Sequence, residues 1–170
     1  MLRVVTAASD EPISVDAVKA HLRVTHAVDD DLLAAQITSA REHVEQFSGV
    51  AMTAASYVWH PDAVGQCGWR PFLPLYPAVV SEVSYYDGEA RVIAAEDDFR
   101  FDEDRGDLTL GTWAEVAVEF ETAPGEIPVA LLSAIKLRVQ AEYEAGAEDA
   151  ERLRAAANRI AWPWRRVVGV

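Results

Sequence analysis

The hydrophobic period of this chain changes twice, and those two changes limit its architecture more than any other feature. From Asp29 to Phe47 the apolar residues Leu33, Ile37, Ala40, Val44 and Phe47 recur at the alternating four- and three-residue spacing of one helix face. From Thr53 the pattern turns toward alternation, punctuated by Pro61, Gly65, Gly68, Pro71, Pro74 and Pro77, which mark turns and edge segments. At Pro128 helical spacing returns. Helices on both sides of a strand-rich stretch predict an α+β chain, a small helical bundle with an inserted antiparallel β-sheet subdomain. The expected divisions are N-terminal helices over 1–52, the inserted β-rich subdomain over 53–126, C-terminal helices over 127–161, and an extended tail over 162–170.

Local signals place the elements. Ser14 is a suitable N-cap, Asp16 suits the positive helix end, and Ile13 can close a staple on Val18, so a short helix should run to about Leu22. Asp29-Asp-Asp31 should open the long helix and Gly49 stop it. Tyr57-Val-Trp59 begins the strands, Asp87-Gly88 and Glu103-Asp-Arg-Gly106 read as hairpin turns, and Val116, Val118 and Phe120 alternate with Glu115, Glu119 and Glu121. That last strand should be buried on one side only. Pro128 suits a first helical position, with Leu132, Ile135, Val139 and Tyr143 as the stripe that follows until Gly146. A last helix over about Asp149 to Ile160 has Leu153, Ala157 and Ile160 as its apolar line.

Charge is distributed very unevenly. The net charge is −13, which argues against a general DNA-binding surface because phosphate affinity needs clustered Lys and Arg. Residues 53–126 hold 15 acids against 4 bases and eleven of the fifteen aromatics. The last nineteen residues hold five arginines, Arg152, Arg154, Arg159, Arg165 and Arg166, and no acid. A single cysteine, Cys67, excludes an internal disulfide framework. No apolar run approaches the roughly 20 residues of a membrane span, so no membrane insertion is expected. The opening Met-Leu-Arg-Val-Val-Thr lacks the apolar core of a signal peptide, and the chain is expected to be cytosolic when made.

Candidate chemistry is sparse. Asp102, Asp104 and Asp107, near Asp97 and Asp98, offer oxygen ligands for a hard cation. The calcium-loop pattern fails, since Gly106 is one place early and its last position is Trp113 rather than glutamate; a solvated acidic turn is expected instead. His21, His26, His43 and His60 give no i,i+4 pair and no HExxH, so no metal site is expected from them. Cys67 near His60 carries no sign of a lowered thiol pKa and reads as a loop cysteine. There is no G-x-S-x-G, P-loop or G-x-G-x-x-G, and no cofactor is expected.

The remaining distinctive stretch is the basic end. Pro163 should stop the last helix and leave an extended tail in which Trp162, Trp164, Arg165 and Arg166 are residue types that anchor interfaces. The competing reading folds this tail back, with the tryptophans as core. Burying both would remove about 400 Å² of surface, worth about 10 kcal/mol, whereas ordering about nine residues costs roughly 9 to 18 kcal/mol. One such tail binds weakly, and many held together bind through avidity.

Several segments in order resemble one family. Ile13-Ser-Val-Asp-Ala-Val-Lys-Ala-His-Leu-Arg-Val24, Asp29-Asp-Asp-Leu-Leu33, Ala40-Arg-Glu-His-Val-Glu-Gln-Phe-Ser-Gly49, Leu75-Tyr-Pro-Ala-Val-Val-Ser-Glu-Val-Ser-Tyr-Tyr86, Ile127-Pro-Val-Ala-Leu-Leu-Ser-Ala-Ile-Lys136 and Trp162-Pro-Trp-Arg-Arg166 are similar to the head-tail connector (adaptor) proteins of long-tailed bacteriophages. The aromatic Trp-Pro-Trp departs from the more aliphatic pattern of many relatives. The resemblance implies a non-enzymatic protein that forms a ring, usually a dodecamer, under the portal protein of a filled capsid. It further implies that such a ring receives a stopper or tail-completion protein and lets DNA pass without sequence-specific binding. The expected place is the head-tail interface of a virion or phage-like particle such as a gene transfer agent, and the host cytoplasm during assembly. It implies portal contact through Arg159, Trp162, Pro163, Trp164, Arg165 and Arg166. The alternative is a small acidic metal-dependent enzyme using the Asp97–Asp107 loop, or a monomeric binding module.

Overall fold

Ser14 adopts an extended conformation and its hydroxyl accepts the Ala17 N–H at 3.2 Å, which starts helix α1, Val15–Leu22. Ile13 and Val18, flanking that cap, are buried in the same apolar cluster. The helix ends at Arg23, whose left-handed backbone directs its N–H to the Lys19 carbonyl. The computed structural model describes residues 1–61, 70–111, 113–143 and 146–166. Cys67, Trp69 and the last four residues of the expected tail lie outside the described residues.

Helix α2, Asp30–Ser48, buries Leu33, Ile37, Ala40 and Val44 and stops at Gly49, where φ is 73° and the N–H meets the Glu45 carbonyl at 2.7 Å. The acidic triplet before and within its first turn does more than face the helix dipole. Asp29 accepts the Tyr143 hydroxyl at 2.6 Å, and Lys19 meets Asp30 at 2.7 Å. Helix α3, Val129–Tyr143, is the middle of the bundle. The stripe read from sequence names Leu132, Ile135, Val139 and Tyr143, yet Leu131, Ala134 and Ala141 are buried as well, because α1, α2 and helix α4, Ala147–Ala161, all pack on it. A helix covered from several sides has no single apolar stripe. Among the described side chains of α4 the buried ones are the small residues Ala150, Ala157 and Ala161. These helices and their connections, residues 10–52 and 125–166, form one unit.

The described parts of residues 1–9 and 53–124 form the other unit. Its strands are β1 (Leu2–Thr6), β2 (Ser56–Trp59), β3 (Ala78–Tyr86), β4 (Arg91–Ile93), β5 (Arg100–Asp102), β6 (Asp107–Thr109) and β7 (Ala114–Thr122). Five of them make an antiparallel sheet in the order β1-β2-β7-β3-β4, and β5 and β6 make a separate hairpin. The mixed α+β class expected from the two period changes is therefore present. Asp87 and Gly88, with φ 109°, turn β3 into β4, and Gly106, with φ 67°, precedes β6. Central β7 buries Val116, Val118 and Phe120, with Tyr57 stacked on Phe120 at 5.3 Å, while Glu115, Glu119 and Glu121 are exposed. Its glutamate face is not wholly wet, because Ala117, paired with Ser84, is buried there too.

Two expectations are corrected. Residues 1–9 do not group with the helices: β1 pairs antiparallel with β2, and the Met1 ammonium donates to the carbonyl of His60, 59 positions away, at 2.5 Å. A pairing that distant leaves no turn signal in Leu2-Arg-Val-Val-Thr6. The chain after α4 is also not extended at once, since Trp162–Trp164 form a 3₁₀ turn that continues the helix. Proline is tolerated near the start of a new turn, where its missing N–H has no partner to lose.

Candidate interface at the end of the last helix

The basic aromatic end is built against the last turn of α2. Extended backbone begins only at Arg165, whose N–H returns to the Trp162 carbonyl at 3.0 Å. The Arg166 N–H then donates to the Ser48 carbonyl at 2.8 Å. Ser48 is the final residue of α2, where carbonyls lack helical partners, so the end of one helix is capped by the chain leaving another. Ser48 also holds itself in place, its hydroxyl donating to the Val44 carbonyl at 2.7 Å and accepting the Val50 N–H at 3.2 Å.

Side chains complete the cluster. The Arg165 guanidinium lies 5.6 Å from the Phe47 ring centre and 5.2 Å from that of Trp162, and the two rings are 6.2 Å apart at 52°. This is cation–π geometry on two faces, and a positive charge at the α2 C-terminus also suits the helix dipole. Trp162 nevertheless remains 60% exposed and Trp164 43% exposed. Pro163 and Arg165 are exposed, and Arg159 projects from the exposed side of α4. The backbone is thus folded back while the rings stay open to solvent, an arrangement between the two readings of the tail. Phe47, the aromatic floor of this cluster, entered the sequence reading only as a stripe residue; its place at the helix end beside Gly49 was the available signal.

One buried charge escaped sequence reasoning. Arg41 is 5% exposed and donates to Glu11 at 2.8 Å and to Glu45 at 2.5 Å, while Glu11 also accepts the Thr38 hydroxyl and Glu45 the Met52 N–H. Burial disfavours the Arg41 charge, but Glu45 and Glu11 outweigh it and hold its pKa above the ordinary value. Its Nε and Nη1 donors are both answered by carboxylates, which marks the group as structural. His43, also on α2, is half-buried opposite α3 and α4. Burial foremost, then the charge of Arg138, pushes its imidazole below the ordinary value, against Asn158 and Glu142. Arg138 is itself lowered by burial and by Arg154, with Glu142 opposing.

The acidic turn forms around Asp102, whose carboxylate accepts the N–H groups of Asp104 at 3.0 Å and Arg105 at 3.1 Å. Among the described residues no group of three or more His, Cys, Asp or Glu side chains is arranged to hold a metal. No helix among them is long and apolar enough to cross a membrane.

Comparison with known proteins bears on this arrangement. Residues 12–66 match the model of the phage gp6-like head-tail connector protein family. No curated protein sequence matches the chain. Among solved structures, a chain from the neck of an empty gene transfer agent (GTA) particle, computed with C6 symmetry, superposes with a TM-score of 0.70 at 21% identity, covering 100% of this chain and 97% of that one. A chain from the virion of a native GTA particle gives 0.70 at 20% identity, and one from the neck of a native GTA particle computed with C12 symmetry gives 0.65 at 22%, each with the same coverage. The chain therefore has the fold of a protein from GTA particles, and its residues 12–66 match the head-tail connector family model.

Proposed function

We propose that this protein is a structural head-tail connector, an adaptor that forms a ring under the portal of a phage-like capsid, joins it to the stopper or tail and lets DNA pass. The observation that carries the reading is the end-to-end superposition on GTA neck proteins together with the family match at residues 12–66. The reading gives the chain no catalytic role. It assigns portal contact to Arg159, Trp162, Pro163, Trp164, Arg165 and Arg166, supported by the two exposed tryptophans and by a backbone already held at Ser48. Pre-ordering removes much of the entropy cost a free tail would meet on docking.

The acidic body suits a conduit, because a cationic lumen would hold the phosphates while acidic side chains let the duplex slide. The ring is expected to hold twelve copies, to meet the portal protein and a tail-completion protein, and to reside at the head-tail interface after assembly in the host cytoplasm. Mixing the full chain with its portal protein and imaging the product by electron microscopy tests the reading. A ring of this chain seated on the portal is expected; a chain that stays monomeric and unattached contradicts it.

A further inference from the structure

We infer that a pocket beside the β5–β6 hairpin receives an arginine side chain from a neighbouring copy, supplied by the α4 face that carries Arg152. The inference rests on the ring reading above and adds to it the contact between copies. The cavity measures about 470 Å³ and is lined by four acids, Asp102, Glu103, Asp104 and Asp107, against two bases, Arg70 and Arg100. An acidic turn alone would be a solvated surface feature. Asp107 makes this one different, being only 4% exposed, with a buried Oδ1 that accepts no hydrogen bond.

Asp107 is fixed through its main chain on both sides. Its backbone pairs with Asp102 across the hairpin and bridges to Phe72 on the other side, while Leu108 donates to the Pro71 carbonyl and Leu73 to the Gly106 carbonyl. Arg105 forms an ion pair with Asp107, but its Nε stands 3.7 Å from Oδ1, beyond hydrogen-bonding distance, on a side chain that is 63% exposed. A buried carboxylate oxygen without a donor is unfavourable, and a planar guanidinium is the side chain best shaped to answer it.

The same chain carries the complementary surface. Five of its fifteen bases fall within residues 152–170, where there is no acid, and Arg152 is exposed on α4. Its own partners, Glu148 and Asp149, are 82% and 72% exposed, so those pairs are weak and readily exchanged for a buried carboxylate. A cyclic ring needs two different, mutually complementary patches on each copy. An acidic pocket in the sheet unit and an arginine in the helical unit meet that requirement.

The test uses the full-length chain with its portal protein and reads ring yield by native mass spectrometry, with circular dichroism to verify folding. Asp107→Asn, Asp104→Arg and Arg152→Asp are each expected to lower ring yield by about tenfold or more. Asp104 is exposed, so its variant reports even if Asp107→Asn disturbs the hairpin. The pair Asp104→Arg/Arg152→Asp should regain most of the lost assembly. The inference is overturned if the pocket variants assemble like wild type, or if the double reversal stays at the level of the single variants. A wild-type chain that never oligomerises, with or without portal, overturns the ring reading itself.

Discussion

Two arginines lie against the same helix and live in opposite surroundings. Arg41, in the middle of α2, is buried and bound to Glu11 and Glu45. Arg165, at the end of α2, is exposed and lies over the rings of Phe47 and Trp162. A buried guanidinium whose Nε and Nη1 donors both meet carboxylates is committed to the fold, and removing it leaves the buried Glu45 without its counter-charge. A guanidinium resting on aromatic faces keeps its N–H donors directed outward, where a partner's carboxylate or carbonyl can take them. The residue type is the same; burial and the chemistry of the neighbours assign one to structure and the other to recognition.

The contrast is broken most forcefully at Arg41. Arg41→Ala should lower stability by about 3–5 kcal/mol because Glu11 and Glu45 are left without their counter-charge, measured by denaturant unfolding. A loss under about 1 kcal/mol would mean that the network relaxes into solvent and is not the anchor described. The next largest effect concerns His43, on the same helix. Its imidazole binds a proton less readily folded than unfolded, so the stability of its neutral form is complete above the ordinary value of 6.5 and is lost as pH falls through 6.5 toward the lower folded value. Unfolding midpoints measured between pH 8 and about pH 5 should fall less in His43→Gln than in wild type; identical profiles would remove His43 from the account.

Ser14→Ala offers a calibration within the helical unit, with a loss of about 1 kcal/mol from the missing cap to Ala17. Smallest is the expected stability change at the other arginine. Arg165→Ala should cost about 0.5–1 kcal/mol or less in thermal unfolding, as an exposed cation–π contact does, while weakening portal attachment strongly because the loss repeats in every copy of the ring. Equal stability losses in Arg41→Ala and Arg165→Ala would dissolve the distinction.

What the sequence made legible follows the range of the interactions. The Ser14 cap, the Gly49 stop, the Asp87-Gly88 turn and the Val116-Val118-Phe120 face are set by neighbours in the chain, and each appears where the pattern placed it. The pairing of Leu2–Thr6 with Ser56–Trp59 depends on distant chain and left no local mark. Leu131 and Ala141 are buried because α3 is covered from several sides, which a one-face pattern cannot express. At the basic end, residue types pointed to an interface, but Pro163 was read as ending helical structure when it sits in a 3₁₀ turn. The bond from Arg166 to the Ser48 carbonyl joins residues far apart in sequence, and it changes the tail from a free arm to a braced one.

Bracing revises the energetics of docking. A disordered tail must offset the entropy of ordering each residue before its tryptophans contribute. Here the backbone through Arg166 is already placed, and the exposed ring surface of Trp162 and Trp164 is available at smaller cost. The most direct measurement is the fraction of portal particles carrying a ring of this chain, counted by electron microscopy for wild type and for Trp162→Ala/Trp164→Ala. The account predicts a double variant that folds with a near wild-type melting temperature and leaves the portals bare; portals decorated to the wild-type level would contradict it.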